Sequence, residues 1–383
     1  MDYTHFTKKI RFVGNRLIED YIQSGHVKTG VNGPYDDPET EVRNLAHLLV
    51  IASVECIKYK RPELKDVIKK ITFQLFAMRN ADGIYKMRQK ENKDQCNGVI
   101  GHAWLVEGFL FAYYCIEDEQ LLNEAERILL MHKFQPKLGL WGRPLIGNTN
   151  SAIDFTFNHQ LWFAATVAEF LQVRKNLQLE KELNQFFDKI QCNMQTNSKG
   201  RILHSVYLRM GMYLSFKMFI KRLRTSFYEI LEMPSLKYKE IGYHVFNLMA
   251  LARLYYVDKK RPFFKTTKFI AVLEYIKDKN YQKWLSASNI QKDASSYSND
   301  LTDIEKSINI YGYPYNVPGY ELVFCKEVFG EIIDTNTVNF ILDEQFNIIW
   351  DEERNELNSK CHDKTTVNYR AYEYYRYLYL INE

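Results

Sequence analysis

Two kinds of helical segment alternate along the chain. In "GHAWLVEGFLFAYYCI", from residue 101, apolar residues cover nearly the whole circumference of a helix, the pattern of a helix buried on most sides. The next segment, "EDEQLLNEAERILLMHKF" (117–134), is amphipathic, with Leu121, Leu122, Ile128 and Leu129 beside charged positions. The alternation recurs: 40–60 is apolar and 63–79 amphipathic, 155–173 apolar and 178–191 amphipathic, 240–256 apolar and 264–278 mixed. Strand-like alternation is scarce, and "RILHSVYL", from residue 201, is its best example.

The apolar segments also resemble one another where they begin. They read "RNLAHLLVIA" (43), "IGHAWLVEGFL" (100), "FNHQLWFAATV" (157), "GYHVFNLMALA" (242), "PGYELVFCKEV" (318) and "VNYRAYEYYRY" (367). Four of them set a histidine near the first turn: His47, His102, His159 and His244. This is a weak internal repeat of helix pairs, each one buried helix followed by one amphipathic helix. Six such pairs predict an all-α protein, an (α/α)6 toroid with buried helices inside and amphipathic helices outside. Helices of this length rise about 27 Å, so residues 1–383 are expected to form one large domain. No Pro/Gly/Ser-rich linker divides them, and the polar stretch at 286–310 is expected to be a surface excursion.

Composition narrows the function. The 383 residues are 46% hydrophobic, too apolar for a disordered chain. With 51 basic and 47 acidic side chains, the net charge of +4 gives no concentrated basic stripe for nucleic acid. The densest basic run, "KMFIKRLR" (217–224), reads as a solvated helix face. Aromatic residues make up 15%, including 27 Tyr, and such rings can stack on sugars while a hydroxyl hydrogen-bonds at the edge. The six cysteines are scattered and read as reduced, mostly buried thiols. No signal peptide opens the sequence, and His102 and Glu107 interrupt its most apolar stretch, so no membrane span and a cytoplasmic location are expected. No HExxH, EF-hand, phosphate loop or GxGxxG is present, so neither a metal nor a cofactor is expected.

The candidate chemistry lies in the loops before the buried helices. In the predicted toroid the inner helices run the same way, so their N-termini and the preceding loops meet on one face. These loops are polar: "GVNGPYDDPETEVRN" (30–44), "RQKENKDQCNGVIGH" (88–102), "GLWGRPLIGNTNSAIDFTFNH" (139–159), "SLKYKEIGYH" (235–244), "YGYPYNVPGYE" (311–321) and "SKCHDKTTVNYR" (359–370). Carboxylates, histidines and aromatics gathered in this way suit acid–base chemistry on sugars. Asp154 and Asp94 are the acid candidates, although Asp154 also stands where a helix N-cap would. His102 and His159 are either catalytic or satisfied core histidines. Trp141 and Arg143, in a Gly-rich loop, fit a sugar platform and a carboxylate clamp. Asn158, Gln160, Tyr243, His244, Tyr315 and Glu321 complete the expected substrate-binding set. Glu107, on a very apolar helix, is either half of a buried ion pair or an acid in the lumen. Glu39 and Glu41 read as first-turn acids answering the helix dipole.

The stretches "DDPETEVRNLAHLL", "DQCNGVIGHAWLVEGF" and "DFTFNHQLWFAA" resemble a helical family encoded in bacterial surface-polysaccharide and archaeal N-glycosylation gene clusters. The chain as a whole resembles the six-hairpin glycosidases, and its chemistry is nearest to the unsaturated uronyl hydrolases. In those enzymes two Asp residues precede successive inner helices, and one protonates the sugar and activates water. The resemblance assigns Asp154 to that acid and Asp94 to its partner. It departs after Asp154, where "FTFNHQ" replaces the small-residue, Met-containing stretch of those enzymes. The expected function is therefore a glycoside hydrolase acting on a uronic-acid-containing oligosaccharide or polysaccharide. An epimerase or lyase on the same toroid, using His102, His159, His244 or Tyr243 as base, is the alternative, as is a non-catalytic glycan-binding protein.

Overall fold

The computed structural model describes residues 3–31, 33–90, 93–206, 216, 220, 223, 236–288 and 300–381, without the side chains of 148–150. The chain divides into two compact units. Unit 1 comprises 1–133, 143–152 and 349–383, and unit 2 comprises 134–142 and 153–348.

Unit 1 is built on helices buried almost all round. α2 (Glu41–Lys58) packs along α4 (Ile100–Ile116), and α16 (Ala371–Leu380), preceded by the short α15 (Thr366–Tyr369), packs on α2. Amphipathic helices cover them: α3 (Leu64–Ala77) lies on α2 and α5 (Glu119–Met131) on α4. α1 (Thr4–Ser24), which the repeat did not disclose, packs on α15 and α16 and so supplies the last pair with its amphipathic member. Its buried stripe is Ile10, Val13, Gly14, Leu17, Ile18 and Tyr21, and it stops at Gly25 in the left-handed conformation. Gly14 is required by closeness, since a Cβ there would overlap the Tyr375 hydroxyl.

Acids on the buried helices are neutralised inside the unit. Arg376 on α16 bonds Glu107 on α4 at 2.5 Å, which makes Glu107 half of a buried ion pair. Arg11 on α1 grips Glu55 on α2 through two bonds of 2.8 Å, and the Tyr375 hydroxyl donates to the same carboxylate. Burial of an unpaired carboxylate is costly, so each acid on these apolar surfaces is matched by a cation from a neighbouring helix.

In unit 2, α9 (His244–Val257) packs between α6 (Phe157–Val173) and α13 (Pro318–Phe329). The covering helices are α7 (Leu177–Asn193), α10 (Thr267–Glu274) and α14 (Thr335–Ile349). Trp162 of α6 stacks on Phe246 of α9 with centroids 4.4 Å apart, and Arg253 of α9 reaches back to Glu169 of α6 at 2.7 Å. Two small helices, α8 (Leu236–Gly242) and α11 (Lys279–Leu285), fill the edge.

Several local expectations differ from what the chain adopts. The loop at 139–159 is largely a hairpin: β2 (Leu140–Leu145) and β3 (Asn148–Ile153) join through Gly147 at φ 72°, and β1 (Phe134–Gln135) pairs with β2. The loop at 235–244 is helical as α8 and breaks at Tyr243, and Gly242 lies so close to the backbone of Tyr311 that no side chain fits there. Within "RILHSVYL", Ile202 and Ser205 make only isolated bridges, to Thr196 and Thr156, and residues 207 and 208 lie outside the described residues. The basic run 217–224 lies outside them too, except Ile220 and Leu223. Of the polar stretch at 286–310, residues 289–299 lie outside, whereas the short helix α12 (Asp303–Ser307) carries a Thr302–Glu305 capping box and leads into buried Ile308, Asn309 and Ile310. No helix among the described residues is long and apolar enough to cross a membrane.

Candidate active site

The polar start of α6 is organised around Asp154. The N-cap of α6 is Thr156, whose side chain makes no cap bond. Asp154 stands two residues earlier, and its Oδ1 accepts the Thr156 N–H at 3.0 Å. Its Oδ2 lies 2.7 Å from Nδ1 of His159, one turn into the helix. Both carboxylate oxygens are thus engaged, and the side chain is 7% exposed. The ring of His159 is 19% exposed. A carboxylate accepts only from an N–H, so Nδ1 is the nitrogen that donates to Asp154 and Nε2 is the one left for another partner, the arrangement in which a carboxylate orients a histidine.

Gln160 holds this corner in place. Its amide accepts the Trp141 N–H at 2.9 Å and donates to the carbonyls of Trp141 and Asp154 at 2.8 and 2.7 Å. It is fully buried and ties β2 to the Asp154 turn, so it supports the dyad from behind. Trp141 is also fully buried, between Phe134, Phe163 and Phe186, with its indole N–H on Glu182 at 3.0 Å. It has no exposed ring face to offer a sugar; its size serves the packing under β2. Asn158 is buried beside the dyad, and its amide oxygen has no partner among the described residues.

The mouth of the adjacent helix α9 contributes aromatics. Tyr243 stands one turn before Phe246, as His159 stands one turn before Trp162, and Phe246 and Trp162 stack. The chain around 204 links the two mouths: the Phe157 N–H donates to the His204 carbonyl at 2.9 Å, and the His204 ring lies 5.6 Å from that of Tyr243. Tyr243 also meets Tyr315 at 6.0 Å and Tyr311 at 6.4 Å. The ammonium of Lys239, on α8, sits 6.0 Å from the Tyr243 ring and 5.9 Å from that of Tyr311. Tyr243, Tyr315, His204 and Lys239 are all half-buried, so the group is open to solvent on one side. His204, Lys239 and Tyr311 were not among the expected site residues. The only sequence signal for them was their place in or beside polar, aromatic loops.

His244 and Glu321 are fully buried. His244 Nε2 lies 3.0 Å from the Val272 carbonyl and its Nδ1 accepts the Ile202 N–H at 3.4 Å, so both ring nitrogens are committed to the backbone. Burial holds its pKa down at about 4.

The remaining expected residues lie in unit 1. Asp94 bonds Arg143 at 2.6 Å and accepts the backbone N–H groups of Cys96, at 3.1 Å, and Gly98. It closes a turn in which Asn97 and Gly98 both adopt positive φ. The Arg143 clamp is therefore occupied by Asp94. His102 is fully buried, bonded to His132 Nε2 at 2.8 Å and to the Tyr85 carbonyl at 3.0 Å, with its pKa held down at about 4 by burial. Unit 1 also carries a buried network that the sequence did not disclose. Glu39 precedes α2 and bonds Arg43 at 2.7 Å, Arg370 bonds Glu373 at 2.7 Å, and His47 stacks on Tyr372 at 4.0 Å. Glu39 is thus half of a buried pair, and Glu41 is the first-turn acid, behind a Thr40 cap. Burial raises the carboxyls of Glu39 and Glu373 and lowers the imidazole of His47.

No family model matches the chain. It is 29% identical over 368 residues to archaeal glycosylation protein Q of Haloferax volcanii, covering 91% of each. In structure it is similar to D-mannose isomerase, with a TM-score of 0.64 at 11% identity, covering 99% of this chain and 98% of that one. It is similar also to cellobiose 2-epimerase of Bacillus thermoamylovorans, with a TM-score of 0.61 at 11% identity, covering 97% and 99%. Glycoside hydrolases and a polysaccharide lyase are further structural neighbours. The fold is the all-α (α/α)6 toroid, as the alternating helices predicted, and the resemblance to glycosidase-type toroids and to a glycosylation protein holds.

Proposed function

We propose that the protein is a carbohydrate-active enzyme that moves a proton at a sugar carbon, with His159 as the base and Asp154 as its positioning residue. The observation that carries this reading is the 2.7 Å bond between Asp154 Oδ2 and His159 Nδ1 on a partly exposed ring. The expected hydrolase would need Asp154 as a proton donor to a glycosidic oxygen. With one oxygen on a backbone N–H and the other on His159, that carboxylate is an acceptor, and the outward-facing group is the imidazole. The structural likenesses, to sugar isomerases and epimerases as well as hydrolases, are compatible with either chemistry.

The substrate class we propose is a uronic-acid-containing glycan. A C–H beside a uronate carboxylate is acidic enough for a histidine when a cation neutralises the carboxylate in the transition state. Lys239, held over Tyr243 and Tyr311, is that cation. Tyr243 and Tyr315 supply faces for the sugar ring, and Tyr243 offers a hydroxyl as proton donor. His159 takes the proton from C5. Its return on the opposite face gives epimerisation, and loss of the C4 substituent gives elimination. The relative's name, a glycosylation protein, agrees with a glycan substrate. We also retain residues 1–383 as one domain, since the two units interleave in sequence, and a reducing, cytoplasmic location, since the six cysteines are free.

The test is isotopic. The protein is incubated with uronate-containing oligosaccharides in heavy water and, separately, in heavy-oxygen water. Deuterium at C5, or a 4,5-unsaturated product, is expected without heavy oxygen in the sugar. Heavy oxygen at a new reducing end with no C5 exchange would return the reaction to hydrolysis, and no change in any substrate would leave a binding protein.

A further inference from the structure

Cys56 and Cys115 sit near the C-terminal ends of α2 and α4, with their sulfurs 2.8 Å apart. They are 59 residues apart in sequence and meet because the two helices pack closely. Gly108 of α4 lies so near the backbone of Ala46 that a Cβ there would stand 2.8 Å from the Ala46 carbonyl oxygen. A disulfide bond is about 2.05 Å long, so less than an ångström of sulfur movement separates the thiol pair from a covalent link.

We propose that Cys56 and Cys115 form a modification site, a thiol pair that a peroxide converts to an intramolecular disulfide stapling α2 to α4. One thiol, as its thiolate, attacks a peroxide oxygen, the O–O bond breaks, hydroxide leaves, and a sulfenic acid forms. The second thiol attacks that sulfur and displaces water. In sum two thiols and one hydrogen peroxide give one disulfide and two waters, with both electrons passing to the peroxide. The residues are 7% and 6% exposed, which admits a small oxidant and excludes a bulky protein disulfide. Burial, then the neighbouring Cys56, pushes the Cys115 thiol up to about 12, so oxidation is slow beside that of a free thiol. Neither cysteine is among the residues placed in the proposed reaction, and both hold α2 and α4 together, so the expected effect of the staple is on stability.

The full-length protein is treated with hydrogen peroxide, alkylated under denaturing conditions and digested with trypsin without reduction. The expected product is the peptide 44–58 joined to the peptide 94–127, two hydrogens lighter than their sum and released by dithiothreitol. The second peptide also contains Cys96, so fragmentation and the Cys115→Ser variant locate the bond. Cys192, the exposed thiol, reports that alkylation and oxidant worked. The peroxide-treated protein should also unfold a few degrees higher than its reduced form, a gain lost in Cys115→Ser. Recovery of peptide 44–58 only as alkylated thiol, sulfinic or sulfonic acid overturns the proposal. So does a linked product that persists in Cys115→Ser. The wild-type digest decides even where a serine variant fails to fold.

Discussion

His159 and Asp154 are joined across the first turn of α6 by a 2.7 Å bond between Nδ1 and Oδ2, and only the histidine of the pair reaches solvent to any extent. In the proposed reaction Asp154 is more than a turn-former, because its bond to Nδ1 selects the imidazole nitrogen that reacts. His159→Gln should lower kcat by about 10²–10⁴. Asp154→Asn turns an acceptor into an amide that cannot fix the tautomer and should cost about 10² or more in kcat. KM and the melting temperature should change little in either variant. Steady-state kinetics beside thermal denaturation checks this, and normal turnover by Asp154→Asn would remove the dyad from the mechanism.

Lys239 bears on specificity. A hydrogen bond to a charged group is worth about 1.5–3 kcal/mol. Lys239→Met should therefore raise KM for a uronate substrate about 10–100-fold. A carboxyl-reduced analogue, which lacks the anion, should bind the variant and the wild type alike. Equal weakening toward both ligands would assign Lys239 to packing around Tyr243 and Tyr311.

The buried histidines set the acid limit of stability. His102 and His244 are each held at about 4, and burial keeps His47 well below its usual value too. Unfolded histidine titrates near 6.5, so between about pH 6.5 and 4 the unfolded chain binds more protons than the folded one. Stability is full above this window and falls as the pH drops through it. Urea denaturation at stepped pH should show that slope, and replacing His244 with Gln should flatten it. A flat profile from pH 7 to 4.5 would contradict the neutral, buried state of these rings.

Two substitutions test how tightly α4 is held. Glu107→Ala should cost about 3–5 kcal/mol, because it strands the Arg376 guanidinium in the interior. Replacing both partners with apolar residues should recover much of that loss. Gly108→Ala forces a methyl into the backbone of Ala46, so helices α2 and α4 must part, whereas Gly25→Ala meets no atom within 4 Å and strains only a positive φ of 74°. The first should lower the melting temperature far more than the second, by calorimetry on the purified variants.

Much of the fold was legible because burial writes itself into composition. α2, α4, α6 and α9 are apolar round most of their circumference, and their covering helices are apolar on one face, so both classes could be read from periodicity. The hairpin at 140–153 was not legible. Its residues alternate weakly, and what makes it a hairpin is a positive-φ glycine between β2 and β3, with Phe134–Gln135 adding a third strand beside β2. α1 was missed because its stripe is diluted by charged residues, and the helices it pairs with as their amphipathic member, α15 and α16, lie more than 300 positions away.

The site divides along the same line. By itself the sequence determined that histidines, acids and aromatics stand at the starts of the buried helices, since a helix of 3.6 residues per turn puts first-turn side chains beside the loop before it. It determined too that Asp154 and His159, five positions apart, are neighbours. Only the tertiary structure decided which histidines are spent on packing. His102 and His244 have the same sequence context as His159, yet both their ring nitrogens are bonded, to His132 and Tyr85 in one case and to Val272 and Ile202 in the other. It likewise consigned Trp141 to the core and Arg143 to Asp94, and brought Tyr311 and Tyr315 to Tyr243. Burial and partner choice are sums over distant segments, and no local pattern encodes which side chain is left facing water.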